Sequence, residues 1–170
     1  MKEKLATFVL YIAFFAVGWF LLGIWNNYSF KRTEGAEMAP ALPKEKFKFI
    51  DLPQQRTDAF RRSDIVAYEM EGIVVGSRTF FTARVIGLPG ERIRLERGEI
   101  YLNGQKLSET YVTPDTRSED DMEEIVVPRG HLFLMYDNRR MNFRTEGGAL
   151  VYLDSRWLGP IGVSSIIGKF

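Results

Sequence analysis

The sequence contains no cysteine and a single histidine, His131. The absence of cysteine excludes disulfide bonds and thiolate metal sites, although it is compatible with an oxidising or a reducing compartment. One histidine excludes a metal site built from several imidazoles, and a histidine-based triad would have to use that residue. Because His131 stands where a strand is predicted to begin, we interpret it as structural. We therefore expect neither a metal site nor a cofactor.

An excess of charge of one sign is also lacking. The 23 basic and 22 acidic residues give a net charge of +1. Proteins that bind nucleic acid usually carry a strongly basic surface, so we expect no nucleic-acid partner. The acidic stretch 118–124 is interpreted as a solvated loop. The chain has 170 residues, and about 140 remain beyond its apolar N-terminal segment. That length suffices for one domain with a core.

A long apolar run covers residues 5–25 and contains no charged residue. At about 1.5 Å per residue, a helix of this length reaches roughly 31 Å, enough to cross a bilayer core. No small-x-small cleavage site follows it, which argues against a removable signal peptide. The run predicts a transmembrane anchor over residues 1–28, with lipid as its partner. Basic residues flank both ends almost equally and leave the orientation nearly undecided.

The segment after the anchor, residues 26–46, is polar, contains two prolines and is predicted to form a loop. Short segments rich in branched and aromatic residues then recur between turn signals, which predicts strands. The predicted strands are Phe47–Leu52, Asp64–Glu69, Thr79–Gly87, Arg92–Glu96, Glu99–Leu102, Glu124–Val127 and His131–Tyr136.

Two glycine-containing dipeptides, Arg97-Gly98 and Asn103-Gly104, predict tight hairpins between neighbouring strands. No helical period longer than about two turns follows residue 30. The expected fold class is therefore mostly β, a single antiparallel domain over residues 29–170 in which sequential strands pair locally.

Four segments resemble, in order, the bacterial type I signal peptidase family, peptidase family S26. They are 34–42, 62–66, 83–91 and the pair 127–139 with 154–159. The third reads Ala-Arg-Val-Ile-Gly-Leu-Pro-Gly-Glu and is similar to the family's Lys-Arg-Val-Ile-Gly-Leu-Pro-Gly-Asp; the fourth resembles its Gly-Asp-Asn-Arg and Asp-Ser-Arg blocks. The resemblance implies a bacterial cytoplasmic-membrane protein with a cytoplasmic N-terminus and its antiparallel β domain on the outer, periplasmic side.

The family cleaves preproteins with a serine nucleophile and a neutral lysine as general base. A serine hydroxyl attacks only when a base removes its proton, and a lysine is that base only when burial favours its neutral form. The resemblance puts Glu37 at the nucleophile and Ala83 at the lysine. It puts Gly35 at a serine of the oxyanion hole and Tyr152 at a serine that supports the lysine.

These replacements favour a catalytically inactive relative, a pseudoenzyme. In the leading hypothesis the chain is a subunit of, or a scaffold for, a membrane-protein complex. One alternative is a non-cleaving protein that binds a preprotein segment along an exposed strand. A second alternative is an active peptidase of unorthodox chemistry. The carboxylate at residue 37 argues against it, because its negative charge would oppose a developing oxyanion.

The other matched residues are interpreted as scaffold around the former site, where several could form charge-assisted hydrogen bonds. They are Met38, Pro40, Arg84, Gly87, Pro89, Gly90, Asp137, Asn138, Arg139, Asp154, Ser155 and Arg156.

An inserted loop, residues 140–153, separates two matched blocks that the family joins by only a few residues. Its apolar and basic composition makes it a candidate partner surface, with a plain surface elaboration as the alternative. The residues predicted on that surface are Arg140, Met141, Phe143, Arg144, Tyr152 and Trp157.

Overall fold

The computed structural model describes residues 2–32, 35–42, 47–51, 57–70, 80–144 and 150–170. These residues form two helices, α1 (Lys2–Asn27) and α2 (Ser155–Leu158), and three one-turn 3₁₀ helices. Their strands are β1 (Tyr28–Arg32), β2 (Phe47–Asp51), β3 (Ile65–Tyr68), β4 (Phe81–Gly87), β5 (Arg92–Glu96), β6 (Glu99–Leu102), β7 (Gln105–Lys106), β8 (Met122–Val126), β9 (His131–Met135), β10 (Phe143–Arg144), β11 (Leu150–Val151), β12 (Ile161–Gly162) and β13 (Ile166–Lys169).

The strands form two main sheets. The larger has the order β1-β2-β13-β3-β4-β9-β12, the smaller has the order β7-β6-β5-β8, and β10 pairs with β11. Every one of these pairings is antiparallel, which confirms the mostly β, antiparallel fold class. Local pairing joins β3 to β4 and β5 to β6, but β9 and β13 reach β4 and β3 from far along the chain.

The predicted hairpins are present because their turn residues adopt the backbone that tight turns require. Arg97 and Gly98 have φ angles of 49° and 74°, and Asn103 and Gly104 have φ angles of 50° and 81°. Two successive positive φ angles are typical of the type I′ turn, whose twist matches that of the flanking strands. The β5–β6 and β6–β7 connections follow the sequence prediction.

The loop predicted over residues 26–46 is wrong at its beginning. Helix α1 continues to Asn27, and β1 follows directly and pairs in register with β2, from Tyr28 opposite Asp51 to Arg32 opposite Phe47. The partner strand lies about twenty residues away in sequence, so hydrogen bonds to it stabilise a segment whose own composition reads as polar and irregular.

Helix α1 includes the apolar run and exposes large side chains, among them Phe14 at 74% and Trp19 at 81% of their full surface. The membrane-spanning anchor expected over residues 5–25 is not confirmed. Among the residues described, no helix combines the length and the apolar character that crossing a bilayer requires.

The core consists of two apolar clusters that share strands β4 and β9. Because side chains alternate along a strand, Phe81, Ala83 and Val85 enter the first cluster, whereas Ile86 enters the second. Leu134 and Met135 of β9 divide in the same way. All seven residues of β4 are buried, so β4 is a rigid central support for whatever packs on its two faces.

Candidate functional site

The candidate site is built around a turn, residues 35–42, that carries Glu37. The Glu37 side chain is 1% exposed. Its backbone carbonyl accepts a hydrogen bond of 2.8 Å from the Asn138 N–H, just after β9, and Leu42 N–H donates to the Met38 carbonyl at 2.7 Å. A backbone hydrogen bond thus attaches the turn to the segment that follows β9 of the larger sheet.

The Glu37 carboxylate lies against Thr82 of β4. Its Oε1 atom accepts a hydrogen bond of 3.1 Å from the Thr82 hydroxyl and one of 3.4 Å from the Thr82 backbone N–H. Thr82 is 3% exposed, so the contact is shielded from water. A carboxylate held by two donors in such surroundings has a defined orientation, which a reactive group requires.

Thr82 was missed by sequence reasoning. It immediately precedes Ala83, which the resemblance puts at the family's lysine position, and a threonine within a β-rich segment is typical of an ordinary strand residue. The only sequence signal for its role is its position beside that matched residue. The spatial signal is the contact with Glu37, 45 residues away along the chain.

Ala83 points away from this carboxylate contact. It is fully buried in the first apolar cluster, with Tyr68 and Phe81, on the opposite face of β4 from Thr82. The structure therefore brings Glu37 to Thr82 and leaves Ala83 in a cluster of mainly apolar side chains. Gly35 lies half-buried at the beginning of the turn, Met38 is buried, and Pro40 is exposed.

Arg84 forms the main ion pair beside the site. Its Nε and Nη2 atoms donate to the two Asp137 oxygens at 2.8 and 2.5 Å, and its Nη1 donates to the Ser63 carbonyl at 2.9 Å. Its guanidinium carbon lies 4.1 Å from the centre of the Tyr111 ring. Burial lowers the pKa of Arg84, but the hydrogen bonds and charge of Asp137 outweigh it, so the pKa is raised and the cation is kept.

A second buried ion pair continues from Tyr111. The Tyr111 hydroxyl donates to Glu109 at 2.9 Å, and Glu109 is paired with Arg139. Burial, followed by the Glu109 charge, raises the pKa of Tyr111 well above its usual value. Arg139 is 2% exposed, and its Nε donates to the Tyr136 carbonyl at 2.5 Å. Together these contacts join the segment after β9 to the segment that follows β7.

A third group of contacts surrounds α2. Asp154 caps the helix by accepting from the Arg156 N–H at 3.1 Å, and Ser155 Oγ accepts from the Leu134 N–H at 2.8 Å. Arg156 also binds Asp120 at 2.6 Å and lies 4.0 Å above the Tyr152 ring. The charge-assisted hydrogen bonds expected of Asp137, Arg139, Asp154 and Arg156 are therefore present.

The Gly87, Pro89 and Gly90 turn has a packing role. A side chain at Gly87 would place its Cβ 2.1 Å from the Ile93 Cδ1 atom and 3.0 Å from the Phe133 Cβ atom, so its neighbours would have to shift. Gly90 has a φ angle of 86°, and its N–H donates to the Val127 carbonyl at 2.8 Å. The turn thus joins the two sheets at close approach.

The inserted segment is partly core, and the prediction of a partner surface is wrong for Phe143. That side chain is 6% exposed and packs edge-on against Phe81 at 5.5 Å between ring centres, because the first cluster leaves room for it beside β4. Met141 also packs against this cluster. By contrast, Arg140 is exposed, and Trp157 of α2 is 63% exposed.

Tyr152 and Arg144 are the remaining residues of the predicted partner surface. Tyr152 is half-buried, and its hydroxyl lies 3.5 Å from an Asp120 oxygen. The strand β10 includes Arg144, whose side chain lies outside the described residues. His131 begins β9, where its Nδ1 lies 3.0 Å from the Arg129 carbonyl, which fits a structural role.

The family described as signal peptidase, peptidase S26, matches residues 3–170. The chain belongs to this family. The resemblance noted in four short segments therefore extends over almost the whole sequence.

Several proteins named signal peptidase I are similar to this chain along much of their length. A signal peptidase I of Bacillus caldolyticus is 29% identical over 94% of this chain and 84% of its own. Signal peptidase I of Bacillus amyloliquefaciens is 28% identical over 68% of this chain, which spans 63% of that relative. A solved signal peptidase I of Enterococcus faecalis V583 is 27% identical, covers 71% of this chain and 98% of its own, and has a TM-score of 0.47.

These relatives overturn the hypothesis that the chain is not an enzyme. Proteins named for a peptidase activity match it, so the comparison points to an enzyme. The inference failed because it treated four predicted replacements, at residues 35, 37, 83 and 152, as the loss of all chemistry. That Glu37 and Ala83 stand at the family's serine and lysine positions stays a prediction of the sequence.

Proposed function

We propose that this protein is a signal-peptidase-type endopeptidase that cuts an extended segment of an exported preprotein, with the Glu37 carboxylate as its general base. One observation carries the proposal: a buried carboxylate, held by the Thr82 hydroxyl at 3.1 Å, lies on the turn that resembles the family's nucleophile segment. The family and the name of its relatives supply the substrate class.

A carboxylate at this position has a chemistry different from that of a serine. As a general base it takes a proton from a water molecule while the water oxygen attacks the scissile carbonyl carbon. The carboxylate becomes neutral as the oxyanion forms, so the negative charge moves from one group to the other and the two do not repel. The objection that a carboxylate opposes an oxyanion therefore applies only if Glu37 stays ionised.

The remaining steps conserve atoms and charge. The proton held by Glu37 passes to the departing amide nitrogen, the carbon–nitrogen bond breaks, and the carbonyl electrons return. The products are a new carboxyl terminus and a new amino terminus, and Glu37 is an anion again. Thr82 donates to Oε1 at the start of this cycle and keeps the carboxylate in place while it accepts the proton.

Access of the substrate requires movement of the turn. Since Glu37 is 1% exposed, a peptide and a water molecule reach it only if part of the 35–42 segment shifts. Gly35 and Ala36, at the beginning of that segment, are half-buried and do not belong to the packed core. Enzyme loops commonly move to admit the substrate and close over it, which shields the reaction from water.

The proposal is tested by incubating the purified full chain in detergent with a preprotein and locating new termini by mass spectrometry. We expect one defined cut made by the wild-type chain and lost in Glu37→Gln. Glu91→Gln serves as the matched control, because Glu91 is a partly buried carboxylate paired with Arg62 away from the turn. Cleavage that persists in Glu37→Gln, or binding of the preprotein with no cut at all, contradicts the proposal.

We also propose that α1 holds the domain at a lipid bilayer, on the outer side of the bacterial cytoplasmic membrane. The support is the exposure of large apolar side chains on this helix, including Phe14 and Trp19. Cell membranes washed with alkaline carbonate should retain the wild-type chain. Release of the wild-type chain into the soluble fraction contradicts this proposal, as would equal retention of a variant with both residues changed to lysine.

The other partner that we propose is a second membrane protein. Arg140 is exposed, and Trp157 is 63% exposed although Ser155 of the same short helix is fully buried. Large exposed aromatic side chains and arginines are enriched in protein interfaces. A photocrosslinker at residue 157 should capture one defined protein in cells, and capture of many unrelated preproteins instead would contradict a dedicated partner.

A further inference from the structure

We infer that Thr82 is a positioning residue for the reaction, one that fixes the Glu37 carboxylate through its hydroxyl; this inference rests on the proposed function. The two side chains meet at 3.1 Å between Thr82 Oγ1 and Glu37 Oε1. Neither the motif comparison nor the named scaffold residues include Thr82.

The support behind Thr82 is rigid. It is the second residue of β4, a strand that is flanked by β3 and β9 in the larger sheet. It pairs opposite Ala67, which is itself fully buried. A hydroxyl attached to a central strand has few alternative positions, so it transfers the rigidity of the sheet to its hydrogen-bond partner.

The carboxylate is constrained from two directions. The Asn138 N–H binds the Glu37 backbone carbonyl at 2.8 Å, and the Thr82 hydroxyl and N–H bind the far end of the side chain. The first contact fixes the position of the Glu37 backbone, and the other two fix the position of its carboxylate. Loss of the Thr82 hydroxyl removes the shorter of the two contacts with Thr82 and keeps the longer one, of 3.4 Å with the backbone N–H.

A positioning role differs from a packing role in what each substitution does. Thr82→Val keeps the branched shape and the volume but removes the donor, whereas Thr82→Ser keeps the donor and removes a methyl group. If Thr82 only packs, Val is the milder change. If Thr82 orients the carboxylate, Ser is the milder change for catalysis even though it leaves a small cavity.

We expect Thr82→Val to lower kcat by about tenfold to a hundredfold, the range expected when a hydrogen bond to a charged group is lost. KM should change little, because Thr82 is 3% exposed and acts through the Glu37 carboxylate. Thr82→Ser should restore most of kcat. Thr113→Val, which alters a half-buried threonine pair elsewhere, is the control and should keep the wild-type rate.

The rates and the unfolding stability are measured on the same full-length variants. A Thr82→Val chain with wild-type kcat, or a Thr82→Ser chain as slow as Thr82→Val, overturns the inference and leaves the proposed function standing. If even the wild-type chain does not cut, the proposed function fails. A urea-unfolding double-mutant cycle of Thr82→Val with Glu37→Met then tests the contact between the two side chains without any measurement of activity. Effects that simply add in that cycle overturn the inference, and effects that overlap support it.

Discussion

Arg84 and Asp137 form a two-pronged ion pair in the interior, with nitrogen–oxygen distances of 2.8 and 2.5 Å and no exposure of the Asp137 side chain. Such a pair attaches β4 to the segment that follows β9. The same segment supplies the N–H that holds the Glu37 carbonyl. The geometry of the proposed site therefore depends on a contact that lies outside it.

Breaking this pair should strongly destabilise the fold. We expect Asp137→Ala to lower the free energy of unfolding by about 3–5 kcal/mol, because it leaves a buried guanidinium without its carboxylate. Glu124→Gln is the comparison, since the Arg92–Glu124 pair is 3.6 Å apart and largely exposed. That change should cost less than about 1 kcal/mol in urea unfolding. Equal effects of the two changes would show that burial of the Arg84 pair contributes nothing.

Position 83 should reject a charge. Ala83 is fully buried in an apolar cluster, so Ala83→Lys should lower the free energy of unfolding by about 3 kcal/mol or more at neutral pH. Ala83→Met adds comparable volume without charge and should cost about 1–3 kcal/mol. If urea unfolding shows lysine to be no worse than methionine, the side chain at residue 83 reaches a polar site and the apolar setting is wrong.

Stability should fall in alkaline solution. Burial, and then the neighbouring Tyr136, raises the pKa of Tyr68, and burial with the Glu109 charge raises that of Tyr111. Above the ordinary tyrosine pKa of about 10, the unfolded chain therefore loses protons that the folded chain keeps, and rising pH favours unfolding.

The variant Tyr111→Phe isolates one of these groups. Urea midpoints measured between about pH 9 and pH 11 should decline less steeply in this variant than in the wild-type chain. Tyr101→Phe changes a tyrosine of β6 and serves as the control. Identical slopes for the wild-type chain and Tyr111→Phe would contradict the raised pKa.

Two aromatic residues that the sequence predicts on the partner surface, Phe143 and Trp157, should differ in their effect on stability. Phe143→Ala should cost about 3–5 kcal/mol, because it removes a ring from the first cluster. Trp157→Ala should cost less than about 1 kcal/mol, since that side chain is mostly exposed. Thermal or urea unfolding of both variants separates these expectations, and a large effect of Trp157→Ala on the isolated chain would contradict the exposed surface.

Local sequence signals predicted much of the fold. The segment Arg92–Glu96 alternates charged and apolar residues, and in β5 these are exposed and buried in turn. The dipeptides at residues 97–98 and 103–104 predict their turns because tight hairpins need positive φ angles. Strands β1 and β13 were not predicted, since each is stabilised by a partner distant in sequence.

The site was predictable only in part. The motif comparison found Glu37, Arg84 and Asp137, but it could not find the contact of Glu37 with Thr82, which tertiary packing creates across 45 positions. Phe143 was placed on the surface because the apolar and basic composition of the insertion favoured a partner surface. Its burial depends on space beside β4, and no pattern within the insertion reports that space.

The central claim is that Glu37 acts as the base of a peptidase, and the most direct measurement is kcat/KM for one preprotein-derived peptide, with product quantified by mass spectrometry. The wild-type chain, Glu37→Gln and Glu91→Gln are compared after each is shown to be folded. The account predicts a loss of about a hundredfold or more in Glu37→Gln and a value close to wild type in Glu91→Gln. A peptide left intact by the wild-type chain, or cut equally fast by Glu37→Gln, would contradict it.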